Sequence, residues 1–123
     1  MRSHALKTLP PYFEAVADGR KTFEVRKDDR GFAVGDLLVL REWDADGQRY
    51  TGRLSVRRVT YVLAGYAAIA QGYVVLGLSD IPHRLDLAAA LERDAAYERE
   101  RGNHPQAAEW EQLARVLRAE DQQ

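Results

Sequence analysis

A chain of 123 residues with a formal net charge of −1 has room for one hydrophobic core, or for one core and an appendage. Its composition, 46% hydrophobic and 30% charged, is that of an ordinary soluble globule, and no apolar run approaches the ~18 residues of a membrane span. Zero cysteines exclude disulfides, thiolate metal sites and cysteine nucleophiles, and fit a cytoplasmic setting. The start, Met1-Arg2-Ser3-His4, lacks the apolar stretch of a secretory signal. The histidines, His4, His83 and His104, have no paired-ligand spacing, so neither a metal nor another cofactor is expected. Charge is uneven along the chain. Residues 1–81 carry 12 Lys and Arg against 10 Asp and Glu, and residues 82–123 carry 6 against 9. That balance speaks against extended duplex binding, which draws on phosphate neutralisation, yet leaves room for a local basic cleft.

Residues 5–9 read as a short first strand. Pro10-Pro11 suits a helix start, where amides lack partners anyway, and Tyr12, Phe13, Val16 and Ala17 supply one apolar face. Asp18-Gly19 stops that helix. The run Arg20-Lys21-Thr22-Phe23-Glu24-Val25-Arg26 reads as the second strand. Its alternation puts Thr22, Glu24 and Arg26 on one face and Phe23 and Val25 on the other. The expectation is that Phe23 and Val25 anchor in the core while Glu24 and Arg26 face a concavity. The plain alternative is a solvated surface pair worth little.

Residues 27–32 read as a charged loop, and Val34-Gly35-Asp36 turns into a third strand. Leu37-Leu38-Val39-Leu40 is apolar on both faces, which predicts a central strand. Asp44-Ala45-Asp46-Gly47 predicts a hairpin in which Gly47 supplies a positive φ. The next strand, residues 52–63, breaks phase: Leu54 and Val56 are apolar at even positions, Val59, Tyr61 and Leu63 at odd ones. A bulge at Arg57-Arg58 is expected. Residues 64–71 form a small-residue connection with room for a helical turn, before a last strand at 73–78. Residues 82–123 are a different unit. Leu87, Leu91 and Ala95 recur at helical spacing, Gly102-Asn103-His104-Pro105 turns the chain, and Trp110, Leu113, Val116 and Leu117 stripe a second helix. This αα-hairpin is expected to pack on the first unit or to pair two copies as a homodimer.

Gly19, Lys21, Glu24 and Arg26 fit the pattern G-x-K-x-x-E-x-R. In this the chain resembles ASCH domains, a branch of the PUA-like superfamily of small β-barrels associated with RNA. The likeness extends to His4-Ala5-Leu6-Lys7, Pro11-Tyr12-Phe13, Arg26-Lys27-Asp28-Asp29-Arg30, Val34-Gly35-Asp36, Tyr50-Thr51-Gly52-Arg53 and Gly72-Tyr73-Val74, and looks like an uncharacterised bacterial and phage subgroup over residues 3 to about 79. The resemblance implies an α+β fold: a PUA-like barrel with one helix between its first two strands over residues 1–81, followed by the helical hairpin of residues 82–123.

The function implied is binding of RNA or a small nucleotide-like ligand in a cleft lined by Lys21, Thr22, Glu24 and Arg26, with His4, Tyr50 and Arg53 nearby. Arg26, Lys27, Arg30, Arg41, Arg53, Arg57 and Arg58 are candidates for a cationic wall, with Phe32, Trp43, Tyr50 and Tyr61 as stacking partners. Of these aromatics, Tyr50 and Phe32 are expected to be exposed in loops. The enzymatic alternative makes Lys21 and Glu24 catalytic, in a ribonuclease or a hydrolase of modified nucleosides. Some ASCH relatives are amidohydrolases of acylated cytidines that use a lysine and a threonine nucleophile. Lys21 matches the lysine, but Glu24 stands where the threonine is, and Thr22 lies ~6–7 Å away along a strand. A third class is a protein-interaction module that works through the acidic hairpin.

Overall fold

Five strands and three helices make up the computed structural model, which describes residues 2–81 and 84–121. His83 lies outside the described residues. The chain forms two compact units, Met1–Asp80 and Ile81–Gln123. The first runs β1 (Ser3–Thr8), α1 (Pro10–Ala17), β2 (Phe23–Lys27), β3 (Leu37–Asp44), β4 (Arg49–Leu63) and β5 (Tyr73–Ser79). These strands form one sheet in the order β1-β3-β4-β5-β2, with β1 parallel to β3 and every other pairing antiparallel. The result is a mixed α+β domain on a curled sheet.

α1 begins as its prolines dictate and ends on Gly19. With φ at +86°, Gly19 adopts a backbone that side chains oppose, and its amide returns to the Val16 carbonyl at 3.1 Å. The Lys21 amide reaches back to the Ala15 carbonyl at 2.8 Å, which closes the exit loop. Phe13 and Val16, three apart on one helical face, bury against Leu6, Leu38, Leu40, Val59, Val74 and Leu76. Burial of Phe13 alone contributes about 2–3 kcal/mol. β3 is flanked on both sides, and Leu37 to Leu40 are all buried, as their continuous apolar run predicts.

The strand irregularities lie elsewhere than the apolar pattern suggests. Register shifts occur between Arg41 and Trp43 against β4, and between Val59 and Tyr61 against β5, not at Arg57-Arg58. Arg57 stays half-buried because its guanidinium has a carbonyl to meet: it donates to Val16 O at 3.0 Å, at the C-terminal end of α1. The phase changes only after Val59, which leaves Tyr61 exposed and Val62 packed on the core. In the hairpin, Gln48 rather than Gly47 carries the positive φ, at +53°. Gly47 answers a different need, since an added Cβ would lie 2.6 Å from Asp44 Oδ2. Residues 64–71 make hydrogen-bonded turns, with the Ile69 amide on Tyr66 O at 3.0 Å, and no helix.

His4 and Phe32 are both buried. Phe32 is buried and meets the His4 ring edge-on, with centroids 4.8 Å apart. His4 Nε2 lies 2.8 Å from Asp36 Oδ2. The same carboxylate accepts the Arg2 amide at 3.0 Å and the Ala33 amide at 3.1 Å. Asp36 thus ties the start of β1 to the loop that enters β3.

The second unit pairs α2 (Arg84–Glu100) with α3 (His104–Asp121). Leu87, Ala88, Leu91 and Ala95 are buried on α2, and Ala107, Trp110, Leu113, Ala114 and Leu117 on α3. Val116, expected in that stripe, is exposed. Asn103 secures the turn, its amide on Glu98 O at 2.8 Å and its Nδ2 on Glu98 Oε2 at 2.9 Å. Arg118 with Glu92 and Arg99 with Glu111 pair across the exposed surfaces of the two helices.

Removing the Asp36 carboxylate strands two backbone amides and the His4 ring. Asp36→Ala is expected to lower the unfolding free energy by about 3 kcal/mol, read as a lower urea midpoint at unchanged slope. A loss under about 0.5 kcal/mol would remove Asp36 from this role.

Candidate functional site

The exit from α1 decides where Lys21 goes. Because the Gly19 turn reverses the chain, Lys21 arrives beside β2 with its ammonium 2.6 Å from Glu24 Oε1. On β2 the alternation then holds: Glu24 and Arg26 share one face, and Arg26 Nε donates to Glu24 Oε2 at 2.9 Å. Glu24 is only 3% exposed. A carboxylate taken that far out of water costs several kcal/mol unless it is paired, and here a cation meets each oxygen. A solvated surface pair is ruled out by this burial.

Arg26 also reaches across the sheet's opening. β1 and β2 are the two outer strands. From β2, Arg26 NH1 donates to Lys7 O at 3.1 Å and NH2 to Thr8 Oγ1 at 3.2 Å, both on β1. Arg30 repeats the device further along, donating to Ala5 O at 2.8 Å. The curl is therefore joined at its edges by arginine side chains where a barrel would have a hydrogen-bonded ladder.

One expectation is inverted. Phe23 and Val25 are 45% and 51% exposed and form a rim, while the charged pair points inward. The cause is the supply of core. α1 already fills the inner face with Phe13 and Val16, and the inward side of β2 meets Thr8 and two cations instead of apolar surface. A polar strand face can be buried when every charge on it finds a partner.

Glu24, Arg26 and Thr8 make the base of a cleft of ≈ 580 Å³, Lys7 and Lys21 its cationic walls, and Leu9, Tyr12, Phe23 and Val25 its exposed rim. Lys21 Nζ lies 5.1 Å from the centre of the Phe23 ring and 5.7 Å from that of Tyr12, within cation–π range of both. The two cations of the motif divide their work. Arg26 donates to Glu24, Lys7 O and Thr8 and so ties two strands, whereas Lys21 has three N–H bonds and gives one to Glu24. Lys21 keeps donors at the cleft; Arg26 ties β2 to β1.

Of the seven residues the sequence nominates, Lys21, Glu24 and Arg26 come together. Thr22 precedes β2, is exposed, and lines a second cavity of ≈ 220 Å³ with Val16, Arg57 and Ser79, one that shares Lys21 with the cleft. His4 is held by Asp36, four residues and about 13 Å of strand from Thr8. Arg53 pairs with Glu14 at 2.6 Å and Glu42 at 3.3 Å, and its bond to Glu14 raises its pKa above the ordinary arginine value. Tyr50 packs edge-on against Trp43. At the helix exit, the Arg20 amide, helped by its guanidinium, holds the exposed Asp18 carboxyl below its usual pKa. Sequence reasoning missed Lys7, Thr8, Leu9 and Tyr12. Tyr12, expected on the apolar face of α1, is exposed instead and stands at the rim.

Residues 3–78 match the model of a family described as a domain of unknown function (DUF3850). A stretch of 59 residues is 42% identical to the uncharacterized 12.9 kDa protein in the GpA 3′ region of Escherichia phage P2, covering 48% of this chain and 52% of the phage protein. The chain thus spans about half the length of that relative. With most of the first unit matched, the chain belongs to the DUF3850 family.

Loss of the carboxylate leaves two cations facing each other at a partly buried site. Glu24→Gln is expected to cost about 2–3 kcal/mol. Arg26→Met should cost more than Lys21→Met, because Arg26 also tethers β1. Urea unfolding of the three variants checks the order; equal costs for Arg26→Met and Lys21→Met would contradict the tether.

Proposed function

We propose that this DUF3850 chain carries an ASCH-type, PUA-like domain over residues 3–79, and that its cleft binds RNA or a small nucleotide-like ligand. One observation carries the reading: the Lys21 ammonium sits above the buried Glu24 carboxylate and within cation–π distance of two exposed rings, Tyr12 and Phe23. A nucleobase asks for that combination, an aromatic face for stacking and paired donor and acceptor groups for its polar edge. Lys7 on the neighbouring wall suits a phosphate. The cleft volume of ≈ 580 Å³ falls in the range of about 300–1,000 Å³ usual for small-molecule sites. The helix between β1 and β2, the curled sheet and the G-x-K-x-x-E-x-R residues support the family reading.

Binding without turnover fits the groups better than hydrolysis. Both Glu24 oxygens are engaged by cations, so no carboxylate stands ready to take a proton from a nucleophile. The hydroxyl nearest the charges, Thr8 Oγ1, donates to Leu6 O at 3.2 Å and accepts from Arg26. Neither partner is a base.

Affinity for short single-stranded RNA and for nucleoside monophosphates is expected to fall about tenfold in Lys21→Ala and in Tyr12→Ala. It should also weaken as salt rises, with a slope of about −0.7 per phosphate contact. Incubation with RNA and with N4-acylated cytidine should yield no product. Product that disappears in Lys21→Ala would replace the binder with a ribonuclease or a nucleoside hydrolase.

A further inference from the structure

β5 reads Tyr73-Val74-Val75-Leu76-Gly77-Leu78, a run without polar alternation, which marks a strand covered on both faces. Only its inner face is fully covered. Val74 and Leu76 are buried in the core and Leu78 packs against it, whereas Tyr73, on the other face, is 42% exposed. Register carries this outer face across three strands. Phe23 and Tyr61 flank Gly77, Val25 and Leu63 flank Val75, and Lys27 stands beside Tyr73. The shift after Val59 turns Tyr61 outward, and Gly77 makes room for it, since a Cβ there would lie 3.3 Å from Tyr61 Cβ. Tyr61 is 63% exposed. Neither it nor Tyr73 has a ring or a cation against it among the described residues.

The charges of the face are Lys27 and, opposite Ser79, Arg58, two exposed cations at diagonal corners. Among the described residues the face holds no carboxylate. Those next to it in sequence are engaged elsewhere: Asp28 accepts the Phe32 amide at 3.3 Å, Asp29 pairs with Arg30 at 3.7 Å, and Asp80 pairs with Arg57 at 3.5 Å. A second copy docked by this same face would bring two more cations and nothing to neutralise them. A polyanion that carries flat, stacking groups answers both the charge and the exposed rings.

We infer that the outer face of β4, β5 and β2 is a second binding surface, and that its ligand is single-stranded RNA. The inference rests on the nucleotide reading of the cleft and extends it. β2 is an outer strand, and Phe23 and Val25 belong both to the cleft rim and to this face, so a strand seated in the cleft continues over them. Tyr61 and Tyr73 stand four residues of β5 apart, about 13 Å, with Val25, Val75 and Leu63 between them. One base on each tyrosine and one over the aliphatic row makes about three nucleotides, the scale at which sheet platforms take single-stranded RNA. Arg58 and Lys27 meet the phosphates at the two ends.

The test compares 5′-UMP with hexauridylate on the full chain by calorimetry, and follows the mass of the free protein by analytical ultracentrifugation. Hexauridylate is expected to bind on the order of tenfold more tightly than the monophosphate. The double variant Tyr61→Leu/Tyr73→Leu, which keeps the face apolar, should lose that advantage and keep its affinity for 5′-UMP. Lys27→Gln with Arg58→Gln should flatten the salt dependence of hexauridylate binding by about 1.4 in slope. Equal affinities for the two probes overturn the inference while the cleft reading stands, as does an advantage that survives the double tyrosine variant. A dimer of the free protein that the double tyrosine variant disperses makes the face a protein interface and also overturns it. Failure of both probes to bind overturns the cleft reading and the inference with it.

Discussion

A carboxylate at 3% exposure, held by an ammonium on one oxygen and a guanidinium on the other, organises the first unit of this chain. Burying Glu24 is costly, so the structure is viable only if Lys21 and Arg26 arrive together. Each demands something of the backbone. Lys21 needs the left-handed turn at Gly19, and Arg26 needs the two-residue alternation of β2. In return Arg26 is oriented well enough to bond two residues of β1 and to hold the open edge of the curled sheet. The four residues of the G-x-K-x-x-E-x-R pattern are thus parts of one device.

That device explains why the rim is apolar. With charge inside β2, its alternate residues Phe23 and Val25 must face outward, where they join Leu9 and Tyr12 around the cleft. Exposed aromatic surface beside a buried ion cluster is unfavourable in isolation and becomes useful when a flat, polar-edged ligand covers it. Lys21 gives one of its three N–H bonds to Glu24 and keeps the others for such a ligand.

Local signals in the sequence carried most of the elements. Pro10-Pro11 and Gly19 bound a real helix, the apolar run at residues 37–40 is a strand buried on both faces, and Gly102 separates two helices. Spacing also foretold that Glu24 and Arg26 share a face. It was silent on which face turns inward, because period-two alternation is symmetric until something else fills the core, and α1 does so with Phe13 and Val16. Arg57 misled for the same reason: its inward placement depends on a helix-end carbonyl, Val16 O, 41 residues away in sequence. His4 and Phe32 are buried through Asp36, a partner that no local pattern names. Tyr50 and Arg53 were chosen as a ring and a cation within the resembling run Tyr50-Thr51-Gly52-Arg53, and strand register sends them elsewhere.

The claim that the Lys21–Glu24 pair under the Tyr12 and Phe23 rings is the ligand's seat is tested most directly by two-dimensional NMR of the full chain titrated with a nucleoside monophosphate. Resonances of Tyr12, Phe23 and Glu24 should shift together with Lys21, along one saturation curve, while those of Thr22 and Ser79 in the second cavity stay in place. Shifts centred on Thr22, Arg57 and Ser79, or on the helical unit, with the Lys21–Glu24 signals unmoved, would contradict the account.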